Sequence, residues 1–127
     1  MDKVVLNYLL SEKISADLYF IAIIDGIECK TLKDFLKKIG EAFKFPSYYG
    51  NNLNALNDCL NDLEWLNKPN YLLIIRNPKE FLIKEPADIY NHIIHLLEEV
   101  STQWKNVPNY AGEEEFRKRS DFIIKMI

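Results

Sequence analysis

The chain has 127 residues, of which 48% are hydrophobic and 13% aromatic, so it is suited to one globular core and is not a disordered chain. Its 16 basic and 19 acidic residues give a formal charge of −3 without a basic stripe, which argues against direct nucleic-acid binding. Two cysteines at unrelated positions, Cys29 and Cys59, form neither a disulfide framework nor a zinc-ligand spacing, and we expect reduced thiols in a cytoplasmic protein.

The first 17 residues contain short apolar stretches at positions 4–6 and 8–10, which one polar residue separates and polar residues 11–13 follow. This pattern is compatible with an added edge strand or with a short helix. It is too short and too polar for a signal peptide or a membrane span, so we expect no membrane partner.

An unbroken apolar run of seven residues, 18–24, predicts the first strand, and Asp25-Gly26 supplies a turn at its end. The length and β-branched content of the run favour a strand buried on both faces, as at the centre of a parallel sheet. A helix is predicted next, because Thr31 and Asp34 resemble a capping box ahead of an apolar stripe. That stripe consists of Leu32, Phe35, Leu36, Ile39 and Phe43. The lysines on the opposite side are interleaved with acidic residues, which indicates a solvated surface.

Residues 45–65 carry the most informative pattern in the chain. Pro46 and Gly50 punctuate a short loop that contains two tyrosines, and Asn51 or Asn52 is a competent helix N-cap. Leucines then recur along one face of an amphipathic helix, at positions 53, 56, 60 and 63. The residues on the other side are polar, namely Asn54, Asn57, Asp58 and Asn61. The pattern therefore predicts two tyrosines beside an Asn/Asp helix face.

The same stretch holds the whole charge imbalance of the protein. Between Phe45 and Asn67 there are three acidic residues, Asp58, Asp62 and Glu64, and no Lys, Arg or His. Subtracting these three from the 19 acidic residues leaves 16, which equals the number of basic residues. A local acidic field on an otherwise balanced protein indicates a cationic partner. A solvated helix face and a structural tyrosine turn are the alternative interpretation of these residues.

The second half of the chain predicts two more strands and a long helix. Residues 71–75 form an apolar run typical of a strand, and a short helix is predicted at 79–83. Pro86 opens a longer helix, whose apolar stripe consists of Ile89, Ile93, Leu96, Leu97, Val100 and Trp104. Residues 105–120 are polar and are expected to form a loop that can include one turn of helix, before a third strand at 122–127. This order of elements predicts right-handed crossovers and a parallel sheet in an α/β fold.

Three patterns are compatible with metal or enzymatic chemistry, and each has a weaker basis than the acidic stretch. His92 and His95 lie three apart on the long helix with Glu99 on the same side, but the chain has no further histidine. No neighbouring residue type activates the Cys59 thiol as a nucleophile. The two aspartates of the acidic stretch have an i,i+4 spacing, but nothing nearby predicts a pocket to desolvate either one. We therefore expect no enzymatic activity, no metal and no cofactor.

The stretch from Pro46 to Leu60 resembles the signature of the barstar family, the small intracellular inhibitors of barnase-type ribonucleases. That signature is Pro-x-Tyr-Tyr-Gly-x-Asn-Leu-acid-Ala-Leu-x-Asp-Cys-Leu. The matching residues are Pro46, Tyr48, Tyr49, Gly50, Asn52, Leu53, Ala55, Leu56, Asp58, Cys59 and Leu60. The resemblance implies a three-stranded parallel sheet packed by about four helices. It also implies an inhibitor domain at 18–127 that an N-terminal extension at 1–17 precedes.

The resemblance further implies that the protein binds a cognate ribonuclease or toxin and presents carboxylates where substrate phosphates would sit. By position, Tyr48, Gly50 and Asp58 would lie in the contact surface, with Asp58 as the central anion. The full set of expected partner-binding residues is Tyr48, Tyr49, Gly50, Asn51, Asn54, Asn57, Asp58, Asn61 and Asp62. The free protein is expected to be a monomer.

Two positions depart from the family pattern. Asn54 stands where the family usually has an acid, and Asn57 stands where its best-known member has a tryptophan. An asparagine can form hydrogen bonds but cannot neutralise an arginine. The alternative function is therefore an immunity or interaction module on the same fold, whose target is a toxin domain of another activity.

Overall fold

A computed structural model describes residues 2–127, which form one three-stranded sheet packed by four helices. The strands are β1 (Tyr19–Asp25), β2 (Asn70–Arg76) and β3 (Phe122–Met126). The helices are α1 (Lys3–Ser11), α2 (Leu32–Ala42), α3 (Leu53–Leu60) and α4 (Ala87–Lys105). Single 3-10 turns lie at Gly26–Glu28, Ser47–Tyr49, Glu64–Leu66 and Glu113–Glu115. The predicted α/β fold, with three parallel strands and about four helices, is confirmed.

The sheet has the strand order β1-β2-β3, and both strand pairs are parallel. Tyr19 lies opposite Asn70 in the first pair, and Tyr71 lies opposite Phe122 in the second. The expectation that the first strand is central is therefore wrong, because β2 occupies the centre. β1 has helices against both faces and is apolar for that reason, although Ile23 is 41% exposed at the open edge. An apolar run alone does not separate such an edge strand from a central one.

The larger hydrophobic core lies between one face of the sheet and helices α2, α3 and α4. The sheet contributes alternate residues, such as Leu73 and Ile75 of β2, because successive side chains of a strand point to opposite faces. The helices contribute fully buried side chains, among them Phe35, Ile39, Leu56, Leu60, Ile93 and Val100. This packing fixes the rotation of α3 and thereby decides which of its residues face the solvent.

The first residues of the chain form helix α1, which is the second of the two structures that their sequence allowed. Val5 and Leu9 of α1 are buried against Leu72 and Ile74 of β2, on the face of the sheet opposite the larger core. Asp2 caps the helix. Helix α1 therefore covers an apolar face of the sheet. No helix within residues 2–127 has the length and the hydropathy needed to cross a bilayer.

The short helix predicted at 79–83 is absent, and the segment forms consecutive turns. Its backbone forms turn hydrogen bonds, such as that from the Ile83 N–H to the Glu80 carbonyl at 3.2 Å, and also pairs with the segment after β1. The Leu82 N–H donates to the Cys29 carbonyl at 2.8 Å, and the Lys84 N–H donates to the Lys30 carbonyl at 3.0 Å. Leu82 also has a φ of +57°, which a right-handed helix does not contain.

The polar loop between α4 and β3 contains one turn of 3-10 helix, as predicted, at Glu113–Glu115. The loop is more than a solvated connection, because Glu113 and Ser120 are buried. The Ser120 N–H donates to the Trp104 carbonyl at 3.2 Å, so the chain returns to the end of α4 before β3 begins.

Candidate functional site

The loop at residues 46–51 is built on the C-terminal half of α2. The side chain of Tyr49 is buried, and its hydroxyl donates a hydrogen bond to the Leu36 carbonyl at 2.9 Å. Gly40 makes room for the ring, since a Cβ there would lie 2.8 Å from Cε2 of Tyr49. Tyr49, one of the residues predicted to bind a partner, therefore lies in the core and anchors the loop.

An aromatic cluster holds the same loop to the chain that follows α3. The ring of Phe45 packs edge-on against Tyr49, with 4.6 Å between ring centroids, and against Trp65 at 6.0 Å. The Trp65 indole N–H donates to the Phe43 carbonyl at 2.9 Å. The loop before α3 and the turn after α3 thus share one anchor.

The backbone of the loop leaves Tyr48 in the solvent. After the 3-10 turn, Gly50 and Asn51 both adopt left-handed conformations, with φ of +67° and +52°. Glycine and asparagine tolerate this region better than other residues, so the sequence fits the turn. The side chain of Tyr48 is 70% exposed. Tyrosine is enriched at protein–protein contact surfaces, and this position makes the ring available for one.

Helix α3 begins at one of the two predicted caps and presents its predicted polar side. Asn52 is the N-cap, and its side-chain oxygen accepts a hydrogen bond from the backbone N–H three residues later at 2.9 Å. Asn54 and Asp58, one turn apart, are exposed. The helix ends at Leu60, earlier than the leucine stripe suggests, and Leu63 reaches the core from a left-handed turn.

Most of the predicted partner-binding residues are exposed on this loop, on α3 or directly after α3. The exposed ones are Tyr48, Gly50, Asn51, Asn54, Asp58 and Asp62, which we call the candidate face. Asn57 and Asn61 are half-buried, and Tyr49 is buried. The structure thus exposes the charged predicted residues and Tyr48, and it places Asp62 near the Tyr48 hydroxyl.

The candidate face carries uncompensated negative charge. Among residues 2–127, no basic side chain forms a salt bridge with Asp58, Asp62 or the neighbouring Glu64. Desolvation raises the pKa of the Tyr48 hydroxyl, and nearby acidic groups, Asp62 among them, raise it further. Asp58 lies in the last turn of α3, where the helix dipole adds partial negative charge. The field at this end of α3 therefore favours a cation.

Asn61 differs from the other predicted residues because its side chain is engaged within the protein. Its amide N–H donates to the Asn57 carbonyl one turn earlier, at 3.0 Å. Its amide oxygen accepts a hydrogen bond from the Arg117 guanidinium at 2.7 Å. Asn61 therefore ties the end of α3 to the loop before β3.

Arg117 is a structural residue whose contact with α3 no local sequence pattern identifies. Its guanidinium donates to Glu113 at 3.1 Å and lies 4.0 Å from the centre of the Trp104 ring. The i,i+4 spacing of Glu113 and Arg117 is a local signal of their ion pair. The contact with Asn61 spans 56 residues of sequence and has no such signal.

The environment of this pair changes both pKa values. Burial alone would raise the pKa of Glu113, but hydrogen bonds from Asn109 and the charge of Arg117 outweigh burial and hold the pKa below its ordinary value. Burial lowers the pKa of Arg117, and the Glu113 carboxylate opposes that shift. The two groups form a charge-assisted hydrogen bond at neutral pH.

The geometry gives the metal and thiol alternatives no support. His95 Nε2 lies 3.1 Å from Oε1 of Glu99 on an exposed part of α4. Residues 2–127 contain no cluster of three or more side chains suited to a metal ion. Burial raises the pKa of the Cys59 thiol, and Asp62 and Asp58 raise it further, which disfavours the nucleophilic thiolate. His95 is therefore a surface residue, whereas Cys59 is part of the hydrophobic core.

Two comparisons with known proteins bear on this surface. A sequence model of the family described as "Barstar (barnase inhibitor)" matches residues 19–120. The chain is also similar to the "Putative ribonuclease inhibitor YrdF" of Bacillus subtilis (strain 168), with 31% identity over 86 residues. That alignment covers 65% of this chain and 91% of the relative. The family match begins after α1 and includes the whole candidate face.

Proposed function

Because the chain belongs to the barstar family, we propose that it binds a small cationic ribonuclease through the candidate face and blocks the active site of that enzyme. Membership of this family makes the protein a non-enzymatic inhibitor protein. The inhibitor is of the antitoxin or immunity type: it protects the cell that makes the nuclease.

The chemistry of ribonucleases explains why a negatively charged protein surface can block them. A ribonuclease must hold a polyanion, so its active site concentrates cationic side chains. Carboxylates on a rigid inhibitor can occupy the positions of the substrate phosphates. Opposite fields on the two proteins also accelerate their encounter.

The observation that carries the proposal is the environment of Asp58. This carboxylate is exposed in the last turn of α3, at the family's position for the central anion. No basic residue within 2–127 forms a salt bridge with it. An anion that the fold leaves unpaired is available to a cation of the partner.

Two loop residues complete the proposed contact. Tyr48 offers an exposed ring and a hydroxyl beside the acidic residues. Gly50 has no side chain, so the partner can approach the loop backbone closely. Tyr49 and Asn61, whose polar groups are used within the protein, have positioning roles in this proposal.

The two departures from the family pattern, Asn54 and Asn57, change what the partner needs opposite them. Asn54 is exposed one turn before Asp58 and offers hydrogen bonds without charge. Asn57 is half-buried and accepts hydrogen bonds from Asn61. We expect the cognate nuclease to be less basic opposite Asn54 than the usual partner of the family.

The two cysteines support a cytoplasmic role. Cys29 and Cys59 are free and buried. Burial raises the pKa of Cys29 to about 12, so this thiol is unreactive at neutral pH. Free thiols are typical of proteins that stay in a reducing compartment.

The second candidate function is an immunity module on the same fold that binds a toxin domain of another activity. The asparagines at positions 54 and 57 favour it, because they change the charge and the shape of the family's contact surface. A toxin-like reading frame beside the gene would separate the two candidates, since its sequence would reveal the chemistry of the target.

Inhibition of RNA cleavage by barnase tests the proposed function. The purified protein is titrated into a fixed concentration of barnase, and cleavage of a fluorogenic RNA is followed. We expect cleavage to fall to the background once inhibitor and enzyme are equimolar, at concentrations above Kd. Pancreatic-type ribonuclease on the same RNA is the control for RNA sequestration and should be unaffected. Full barnase activity in a large excess of the protein would exclude this target and favour the second candidate.

A further inference from the structure

A cleft of about 770 Å³ adjoins the candidate face. One wall is the end of α3 and the turn after it, with Asp62 and Glu64, and the other wall is the loop segment 110–118. Between the walls lie Tyr71 and Trp104, whose ring centroids are 5.1 Å apart. Asp62 belongs to the candidate face and also lines the cleft, so the two surfaces are continuous.

The second wall presents two aromatic rings to the solvent. Tyr110 is 57% exposed and Phe116 is 72% exposed, with 6.3 Å between their ring centroids. Among the described residues, Phe116 and Tyr48 are the two most exposed large hydrophobic side chains, and they lie on the cleft and on the candidate face. Single exposed apolar residues are common, but two neighbouring exposed rings beside one cleft, here Tyr110 and Phe116, are typical of a contact surface.

The ion pair of Glu113 and Arg117 holds this wall in place. The Glu113 carbonyl accepts hydrogen bonds from the N–H groups of Phe116 and Arg117, each at 3.1 Å. The Arg117 guanidinium then joins Glu113 to Asn61 at the end of α3. The aromatic rings are therefore presented by an ordered segment, which lowers the entropic cost of binding.

Acidic residues predominate among the free charges of the cleft. Glu113 and Arg117 neutralise each other. The charged lining residues that form no salt bridge within the described chain are Asp62, Glu64, Glu114, Glu115, Lys68 and Lys118. Carboxylates stand on both walls and outnumber the lysines, so the cleft favours a cation.

We infer that this cleft is a second part of the partner interface and receives a cationic loop of the same ribonuclease. An arginine of that loop stacks on the rings of Phe116 and Tyr110 and pairs with carboxylates of the walls. Arginine suits the site because its planar guanidinium both stacks on aromatic rings and binds carboxylates in a fork. The protein contains one example of such stacking, Arg117 over Trp104. The inference rests on the proposed function and extends its interface beyond α3.

Two double variants of the cleft test the inference. Tyr110→Ala/Phe116→Ala removes the rings, and Glu114→Gln/Glu115→Gln removes the charge of one wall. Their matched controls are Ile27→Ala/Ile83→Ala and Glu28→Gln/Glu80→Gln, which lie after β1 and β2, at the carboxyl end of the strands. Of these, Glu80 is half-buried, and the two glutamates form surface salt bridges with Lys38 and Lys30. Association and dissociation rates with immobilised barnase are measured at low and high salt, with Asp58→Ala as the reference variant.

The two cleft variants should change different rate constants. Loss of both rings should raise Kd about tenfold, mostly through faster dissociation, since each exposed cation–π contact changes Kd by about two- to fivefold. Loss of the two carboxylates should slow association at low salt, and the effect should shrink at high salt. The controls should stay within about twofold of the parent, because exposed positions away from the interface contribute little.

Three results would overturn the inference, and they have different meanings. If Asp58→Ala weakens binding while both cleft variants bind like the parent, the cleft is not an interface and the proposed function stands. If the parent binds neither barnase nor a nuclease encoded beside its gene, the proposed function and the inference fail together. If the aromatic double variant changes only the sedimentation of the free protein, the rings serve self-association instead. Circular dichroism on all variants confirms that each is folded.

Discussion

Asp58 and Arg117 place their charges in opposite environments. The Asp58 carboxylate is exposed, so it stays hydrated in the free protein and folding has no desolvation cost at this residue. Only 12% of the Arg117 side chain is exposed, and its charge requires the buried Glu113 as a partner. Removing one member of a buried pair is strongly destabilising, because the other charge stays buried without compensation. Asp58 is thus available for recognition, whereas Arg117 is needed for the position of the loop.

Arg117→Met should lower the free energy of unfolding by about 3–5 kcal/mol at neutral pH, because Glu113 is left buried and unpaired. Chemical denaturation of parent and variant measures the difference. The exposed neighbour Lys118 provides the control, and Lys118→Met should change stability by less than about 0.5 kcal/mol. Equal losses in the two variants would contradict a buried role for Arg117.

The stability difference between the parent and Arg117→Met should also depend on pH. The folded-state pKa of Glu113 lies below its ordinary value of 4.5, so its contribution to stability is present above that value and is lost as the pH falls through the folded-state pKa. In the variant, protonation of Glu113 relieves the unpaired charge. The difference should therefore shrink below pH 4.5. A constant difference across this range would mean that Glu113 is not the partner of Arg117.

Helix α3 combines a strong packing face with an unfavourable end. It has only 8 residues, and an isolated helix of that length is not stable in water. Its cap at Asn52 and its buried leucines hold it on the core. Asp58 in the last turn opposes the helix dipole, which costs stability. Such a local conflict is expected where a residue serves binding.

Leu56→Ala should lower the free energy of unfolding by about 2–5 kcal/mol, because Leu56 is fully buried in the core. Asn54→Ala, on the exposed side of the same helix, should change it by less than about 0.5 kcal/mol. Thermal or chemical denaturation of both variants measures the contrast. Similar losses at the two positions would mean that the helix is rotated from the orientation described.

Local sequence patterns predicted α3 well because its determinants are neighbours in the chain. The cap at Asn52 and the leucine spacing act within a few residues. The same reasoning failed at 79–83, where the chain forms turns and the Leu82 N–H donates to the Cys29 carbonyl after β1. It also missed the burial of Tyr49 beside Gly40 and the contact of Arg117 with α3, since both depend on packing between distant segments.

In the whole molecule, the cleft and the turns after β1 and β2 lie at opposite ends of the strands. The cleft lies at the amino-terminal end, beside the beginning of β2. Open α/β sheets usually bind small ligands at the carboxyl ends of the strands. Here close backbone packing fills that end next to β1, since a Cβ on Gly26 would lie 2.3 Å from the Asn77 carbonyl oxygen. The arrangement fits a protein that acts through an exposed surface at the amino-terminal end of the strands.

The order of elements in the sequence predicted the parallel α/β architecture, but the arrangement of the sheet depended on long-range packing. The apolar character of β1 suggested a central strand, whereas β1 is an edge strand covered on both faces. Part of that cover is α1, which packs on Leu72 and Ile74 of β2. No local pattern in the first 17 residues identifies this surface as their contact.

The binding kinetics of Asp58→Ala with the cognate nuclease, sought beside the gene, test substrate mimicry most directly. A buried interfacial carboxylate that faces cations can be a hot spot whose truncation costs roughly 2 kcal/mol or more, part of which is the partner's charge left unpaired. We therefore expect the folded variant to bind at least ~30-fold more weakly than the parent. Asp62→Ala should mainly lower the association rate and its salt dependence. Glu28→Ala, which removes an equal charge after β1, should bind like the parent. A folded Asp58→Ala protein with the parent's affinity would contradict the mechanism.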